Sequence, residues 1–468
     1  MKRTAILLLS VTLDLIVMLA GAQNTLYFMD RLPQRLSLNP AMVPKVDFFI
    51  GMPGISGERA EIFSSGLDVG NILDLSDQLD TEEYDPDDFI SRIGEYNDIS
   101  AETRSNLFSM GFRLKEKGYF SMSVSIRSNV EMSLPSKMLY LLDDLDDVRD
   151  RLPIQINNLT MTANTFSEMA FTYSRTFGER LTLGISPKLI GALGGIKTEN
   201  FRMGADEIRT DVFEGNMGGR IEIGLPVEIN PQAINSDGKL NPDKPLLRGN
   251  WEKSYGSGDF FKNISLAFDL GANYNLNDKW SFSASIIDLG RTRWNENGYL
   301  FSLKDTTYVI DEEESGFPDL NSAYTVTQNH STTIKIPARF YLGVNYKLST
   351  NWNAGLLMNQ VFRDKGGKTA ATLSLNGYIG RMLSASLSYT AASKVNDLGM
   401  GLRLRILPGM DLYAITDNLI SSLNYRNINH ANIAAGLNFS FGVKNRGHIQ
   451  PEENIETEEV KEVQEKVF

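Results

Sequence analysis

Residues 264–275 read ISLAFDLGANYN. Ile264, Leu266, Phe268, Leu270, Ala272 and Tyr274 form one alternate set, and Ser265, Ala267, Asp269, Gly271, Asn273 and Asn275 form the other. A period of two sends these sets to opposite faces of a β-strand. The second set is small as well as polar. The wet face of a soluble sheet is richer in Lys, Glu and Thr, whereas a crowded aqueous lumen suits Ser, Gly and Asn. The stretch therefore reads as one stave of a barrel, with lipid against Leu266 and Phe268 and water or packed polar groups against Asp269 and Asn273.

The same pattern recurs at 108–114, 120–127, 280–286, 340–348, 383–390, 399–406 and 433–441. Tyr274, Trp280, Tyr346, Trp352 and Tyr389 sit near segment ends, as an interfacial aromatic girdle requires. Tight turns are expected at 115–118, 177–179, 275–279, 349–351, 380–381 and 408–409. Long connections are expected at 54–104, 129–167, 229–260 and 290–333. Short turns on one side and long loops on the other give an all-β, transmembrane antiparallel β-barrel with an even strand number, about 14–16. Both termini are then periplasmic. The stretch 192–216 leaves room for one more weak pair.

The ends of the chain fit export. Lys2 and Arg3, an apolar run over 5–19 broken by Asp14, and Ala20-Gly21-Ala22 form a cleavable signal, so the mature chain is expected to start at Gln23. The expected organisation is a signal peptide at 1–22, a hatch or leader segment at 23–45, an outer-membrane barrel at 46–442 and an acidic periplasmic tail at 443–468. Segment 137–150 is a candidate loop helix.

Composition narrows the function. There is no Cys and only His330, His430 and His448, which leaves no thiol chemistry and little material for a zinc site or His-based catalysis. The net charge of −12 argues against nucleic acid as a partner. Acidic groups at Asp85, Asp87 and Asp88, at Asp143, Asp144, Asp146 and Asp147, and at Glu312, Glu313 and Glu314 lack EF-hand spacing and read either as solvated loops or as carboxylates open to a divalent cation. No enzyme, cofactor or metal site is expected.

Ahead of the first strand, Thr25 to Asp30 read TLYFMD, followed by Pro33-Gln34-Arg35 and Asn39-Pro40-Ala41. This pattern resembles an uncharacterised family of bacterial outer-membrane barrels. More distantly it is similar to the FadL-like long-chain fatty-acid transporter superfamily, whose N-terminal segment folds as a hatch inside the barrel. The resemblance implies a barrel with Asn39, Pro40 and Ala41 as hatch residues and a hydrophobic small molecule as ligand. Read without it, Asn39-Pro40-Ala41 is equally a turn before a strand.

Other candidates lie on the inferred lumen face. Arg113, Arg127, Arg403 and Arg405 either select anions or pair with interior acids and fill the lumen. Three apolar runs close on Asp or Asn, at Asp288, Asn359 and Asp417, and form either a polar ring or plain strand ends. The function expected is a passive channel for hydrophobic or small solutes. The alternative is a scaffold barrel whose loops or tail bind an envelope protein. Membrane lipid and lipopolysaccharide are the expected surroundings. A lumen plugged by 24–45, beside a lateral gap in the wall, would favour the channel.

Overall fold

The computed structural model describes residues 23–442, apart from 82–84, 116, 143–150, 210–211, 225–229, 236–243, 245–262, 312–323, 364–366, 393–395, 424–425 and 427. In chain order the strands are β1 (Phe48–Ser64), β2 (Tyr96–Leu114), β3 (Gly118–Pro135), β4 (Ile154–Phe177), β5 (Leu181–Arg209), β6 (Val212–Gly224), β7 (Ile264–Asn275), β8 (Trp280–Trp294), β9 (Gly298–Asp311), β10 (Tyr324–Gln328), β11 (Thr332–Lys335), β12 (Ala338–Lys347), β13 (Trp352–Phe362), β14 (Gly367–Ile379), β15 (Leu383–Ala392), β16 (Asn396–Leu407), β17 (Met410–Thr416) and β18 (His430–Phe441).

Fourteen of these close the wall: β1 to β5, β7, β8 and β12 to β18, all antiparallel. The ring closes where β1 pairs with both β18 and β2, through Phe48↔Phe441 and Phe48↔Phe112. Closure leaves the fourteen wall strands without a free edge strand, the condition for burying a backbone in lipid, with one interruption within β1. The four remaining strands stand above the wall. β6 pairs with the outer half of β5 and with β9, β10 pairs with β9, and β11 pairs with the end of β8. At the other rim the hairpins are tight: Gly380 (φ 53°) supplies a left-handed turn residue in the three-residue β14–β15 connection, and Gly409 (φ 89°) does so in the two-residue β16–β17 connection.

The two faces of 264–275 go where the alternation sends them. Leu266, Phe268 and Leu270 are exposed, whereas Ala267 and Asp269 are buried. The exposed set continues around the wall with Leu356, Leu373, Leu387, Leu402 and Ile433. So much contiguous outward apolar surface is stable only against lipid. Tyr274, Trp280, Trp352 and Tyr389 are exposed, and the rings of Trp280 and Tyr346 lie 4.5 Å apart. No helix among the described residues is long and apolar enough to cross a membrane.

The sequence reading ended several strands too soon. β1 runs on to Ser64 and β2 starts at Tyr96, so both ends of the connection placed at 54–104 are strand, and two helices, Val69–Thr81 and Pro86–Ile93, lie between them. The region 192–216 holds the β5–β6 hairpin, which projects beyond the wall instead of adding a spanning pair. Above the apolar band both faces are wet, so the ladder continues while the alternation that reports it disappears. Ser136–Leu142 is a 3-10 turn within the expected loop helix. The signal segment 1–22, the tail 443–468, and the acidic groups at 143–147 and 312–314 lie outside the described residues.

Candidate functional site

The segment ahead of β1 lies inside the barrel. It makes two 3-10 turns, Leu26–Phe28 and Pro33–Ser37, with Pro33 at the first position of the second, where its missing N–H costs nothing. Leu26, Tyr27, Phe28, Met29, Leu32, Leu38 and Met42 are buried against Ile287, Tyr341, Leu357, Tyr413, Ile415 and Ala434 of the wall. The small lumen residues are what admit it. A Cβ at Gly355 would overlap the Phe28 ring, and one at Gly271 would overlap the Asn39 carboxamide. By its position inside the barrel we label this segment the hatch; apolar packing holds it on one side and directed hydrogen bonds elsewhere.

Those bonds fall on the N-terminal pattern residues. The Tyr27 hydroxyl donates to Ser283 Oγ (3.1 Å), and its ring stacks on Tyr341 at 5.5 Å. Gln34 Nε2 donates to Asn438 Oδ1 (2.7 Å) and to Ser56 Oγ (3.2 Å). Asn39 is fully buried; its Oδ1 accepts from Ala41 N (2.9 Å), and its Nδ2 donates to the Tyr27 hydroxyl (3.2 Å) and to the Ala284 carbonyl (3.3 Å). The Pro40 carbonyl accepts from Ser174 Oγ at 2.5 Å. Asn39-Pro40-Ala41 thus forms a turn, and that turn is docked on the wall. Asp30 pairs with Lys45. Burial works to raise the Asp30 carboxyl, but Lys45 and Arg35 outweigh it and hold it below the usual carboxylate range.

Beside the hatch, towards the outer side, the lumen is crossed by an ionic layer. Glu102 and Arg104 come from β2, Arg127 from β3, Glu168 from β4, Lys188 from β5, Asp269 from β7, Asp288 from β8 and Arg339 from β12. Arg127 bonds Asp288 (2.7 Å) and Glu168 (2.9 Å), and Lys188 bonds Asp269 and Asp288 (both 2.7 Å). Arg104 bonds Glu168 at 2.7 Å, and Arg339 bonds Glu102. Asp288 takes a left-handed backbone (φ 63°), which Asp tolerates better than most residues, and its carboxylate is the hub. Four cations meet four carboxylates, so the charges of these eight groups balance and their side chains fill the lumen at this level.

The other sequence candidates divide by level. Arg113 bonds Asp47 (2.8 Å) and the Pro44 carbonyl (3.1 Å), clamping the link from hatch to β1. Arg403 and Arg405 share Asp411 near the turn-side rim, at 2.5 and 2.8 Å. Asn359 Nδ2 donates to Asn24 Oδ1 at 3.0 Å. Sequence reasoning missed the apolar lumen patch of Tyr341, Leu357, Tyr413 and Ile415. Its signal was present as bulky residues interrupting an otherwise small polar face.

The wall itself is broken beside the hatch. Between Gly51 and Arg59, β1 makes no ladder pair with β2, and between Gly51 and Ser56 it makes none with β18. Pro53, Gly54 and Ile55 are exposed on the lipid side. The Asn106 N–H donates instead to the Glu58 carboxylate (3.0 Å), and Gln34 of the hatch reaches Ser56 at the inner lip. A cavity of about 60 Å³ adjoins the break, lined by Gln34, Gly57, Arg59, Asn106, Lys188 and Asp269. At ~10–15 Å³ per water it has room for a few waters and for no larger solute unless the hatch shifts.

Solved structures similar to this chain include the Ralstonia pickettii toluene transporter TbuX, at 8% identity and TM-score 0.44, covering 90% of this chain and 99% of that one. The P. putida toluene transporter TodX follows at 10% identity and TM-score 0.40, covering 88% and 93%. A Pseudomonas aeruginosa FadL homologue matches at 10% identity and TM-score 0.37, with the same coverage of 88% and 93%. At these values the likeness says nothing of what this chain carries. No curated protein matches it. A family model described as a family of unknown function (DUF5723) matches residues 40–417.

Proposed function

The chain belongs to the DUF5723 family, and from that premise we propose that it is a passive, hatch-gated outer-membrane channel for small apolar solutes. One observation carries the reading: the lumen is stopped by the chain's own N-terminal segment, directly beside a length of wall that has no backbone ladder. A general aqueous pore needs an open lumen, and here the hatch and a neutral ionic layer fill it. A solute of modest size would displace the hatch near Gln34 and leave sideways past 52–58 into the bilayer, so that its apolar surface never crosses the full polar lumen. On this reading the leader 1–22 is removed on export, the solute is hydrophobic, and no catalytic step or cofactor takes part. No feature of the described residues favours the scaffold alternative.

The test uses the absence of native cysteine. Thr25 Oγ1 and Ser388 Oγ lie 2.6 Å apart, so Thr25→Cys with Ser388→Cys places two thiols at disulfide range and locks the hatch to β15. Proteoliposomes should take up the apolar dye N-phenylnaphthylamine faster than protein-free vesicles. The oxidised double variant should fall to the protein-free rate and recover on reduction. Uptake at the protein-free rate by the unlocked chain, or unchanged uptake after locking, would overturn the reading.

A further inference from the structure

Asp417 differs from the other buried carboxylates of the lumen. Glu168, Asp269, Asp288 and Asp411 each touch an Arg or Lys nitrogen. Asp397 accepts from the backbone N–H groups of Ile420 and Ser421 and caps the short helix Leu419–Leu423. Asp417 is 6% exposed and has no cationic side chain against it among the described residues. Its carboxylate accepts from the backbone nitrogens of Gln23 (3.0 Å), Asn24 (3.0 Å) and Thr25 (2.9 Å) and from the Thr25 hydroxyl. A buried charge served only by neutral donors is costly; the helix cap Asp397 shares that arrangement, whereas Glu168, Asp269, Asp288 and Asp411 avoid it.

The first of those donors is the nitrogen that follows the expected cleavage point. Hydrolysis of the Ala22–Gln23 bond by an export peptidase puts the hydroxyl of water on the Ala22 carbonyl carbon and its hydrogen on the Gln23 nitrogen. At neutral pH that nitrogen takes a further proton and becomes an α-ammonium 3.0 Å from Asp417 Oδ2. The surroundings form a socket for a chain end. The Tyr341 hydroxyl donates to Gln23 Oε1 (2.7 Å), and Asn359 Nδ2 donates to Asn24 Oδ1 (3.0 Å). Asn432 Oδ1 accepts from the Asp417 N–H and so aims the carboxylate.

We propose that Asp417 is the receptor carboxylate for the processed amino terminus, so that the hatch seats fully only on a chain cut after Ala22. Gln23 sits inside the barrel, at the level of Tyr341, one lumen-facing position from Arg339 of the ionic layer on β12. A leader still joined to it would leave the Gln23 nitrogen a neutral amide, without the charge that the carboxylate lacks. Cleavage therefore supplies the charge that completes the site. The inference rests on the hatch reading and is independent of which solute passes.

The experiment measures the α-amine of the purified full barrel in detergent. Mass spectrometry should first show a chain starting at Gln23 with an uncyclised glutamine. The rate of N-terminal acylation by an N-hydroxysuccinimide ester is then followed against pH. A free α-amine titrates near ~7.7–8.0. The other titratable groups facing it are Tyr341 and, through Asn432, His430. The native protein should titrate at least about one unit higher than Asp417→Asn and label about tenfold more slowly at pH 7. A chain with one alanine inserted between Ala22 and Gln23 should label at the fast rate with its barrel unaltered, which covers the case in which Asp417→Asn fails to assemble. A different start site, a pyroglutamate end, or equal rates in native protein and variants would overturn the proposal. Slow labelling that persists in Asp417→Asn would assign the protection to burial and would also overturn it. Dye uptake can fail without altering any of these rates.

Discussion

At Gly355 the lack of a side chain is itself the contact, because the Phe28 ring occupies the space a Cβ would take. Gly355→Ala is expected to push the hatch out of register while leaving the wall closed. Conductance in planar bilayers should rise and the unboiled gel mobility should not change; unchanged conductance would mean that the ring can move aside. Neighbouring residues on one strand should behave oppositely. Leu402 is 41% exposed to lipid and Arg403 is 2% exposed and paired to Asp411. Leu402 lies about five residues from the β16–β17 turn, roughly 12 Å up a tilted strand and so near the midplane of a ~25 Å band. Leu402→Arg should cost about 2–4 kcal/mol of folding free energy in bilayers. Arg403→Leu should cost less, since Arg405 still holds Asp411 (2.8 Å), and equal losses on refolding into vesicles would refute the assigned faces. Arg127→Met leaves the four carboxylates of the ionic layer with three cations, and removing one partner from such a buried set costs about 3–5 kcal/mol. The temperature at which the compact unboiled band converts to the slow band should fall accordingly.

The hatch behaves as an element with its own attachments. It contributes no wall strand, so a chain lacking 24–45 should still close through β1 and β18 and should conduct more. Normal closure with unchanged conductance would make the segment a leader. Its fit depends on pH through Asp30, whose carboxyl is held below the ordinary range by Lys45 and Arg35 against the opposing effect of burial. A carboxyl depressed in the seated state stabilises that state above its free value, and the contribution is lost as pH falls through the seated value. Acidification below the usual carboxylate range, near ~4, should therefore raise single-channel open probability. Asp30→Asn should remove that acid response and leave behaviour at pH 7 closer to the acid form. At the same scale, β1 leaves the wall unsealed where it bulges: residues 52–58 pair with nothing on β2, and Gly54 (φ 73°) and Gly57 (φ 89°) turn the chain out of extended geometry there.

As a whole molecule the barrel is a closed ladder, and it should run faster on gels when unboiled and slower after boiling. Recovery as a soluble periplasmic protein would contradict the exposed apolar belt. That belt, the strand type, the even count and the turn-side hairpins were all legible in ISLAFDLGANYN and its repeats, because a period of two against lipid is a local property of each strand. Arg113, Arg127, Arg403 and Arg405 were legible as inward residues for the same reason. Their partners were not, since Arg127 and Asp288 are 161 residues apart and only barrel closure brings them to 2.7 Å. The outer halves of β5 and β6 escaped notice because water on both faces erases the alternation. The sequence alone determined which side of each strand faces lipid. Only the tertiary structure decided what fills the inside. Tyr341, Leu357 and Ile415 look misplaced on a polar face until Leu26 to Met42 pack on them, and Asp417 looks like a strand end until Gln23 arrives beside it. Such contacts depend on the shape of a closed space, which no single strand encodes.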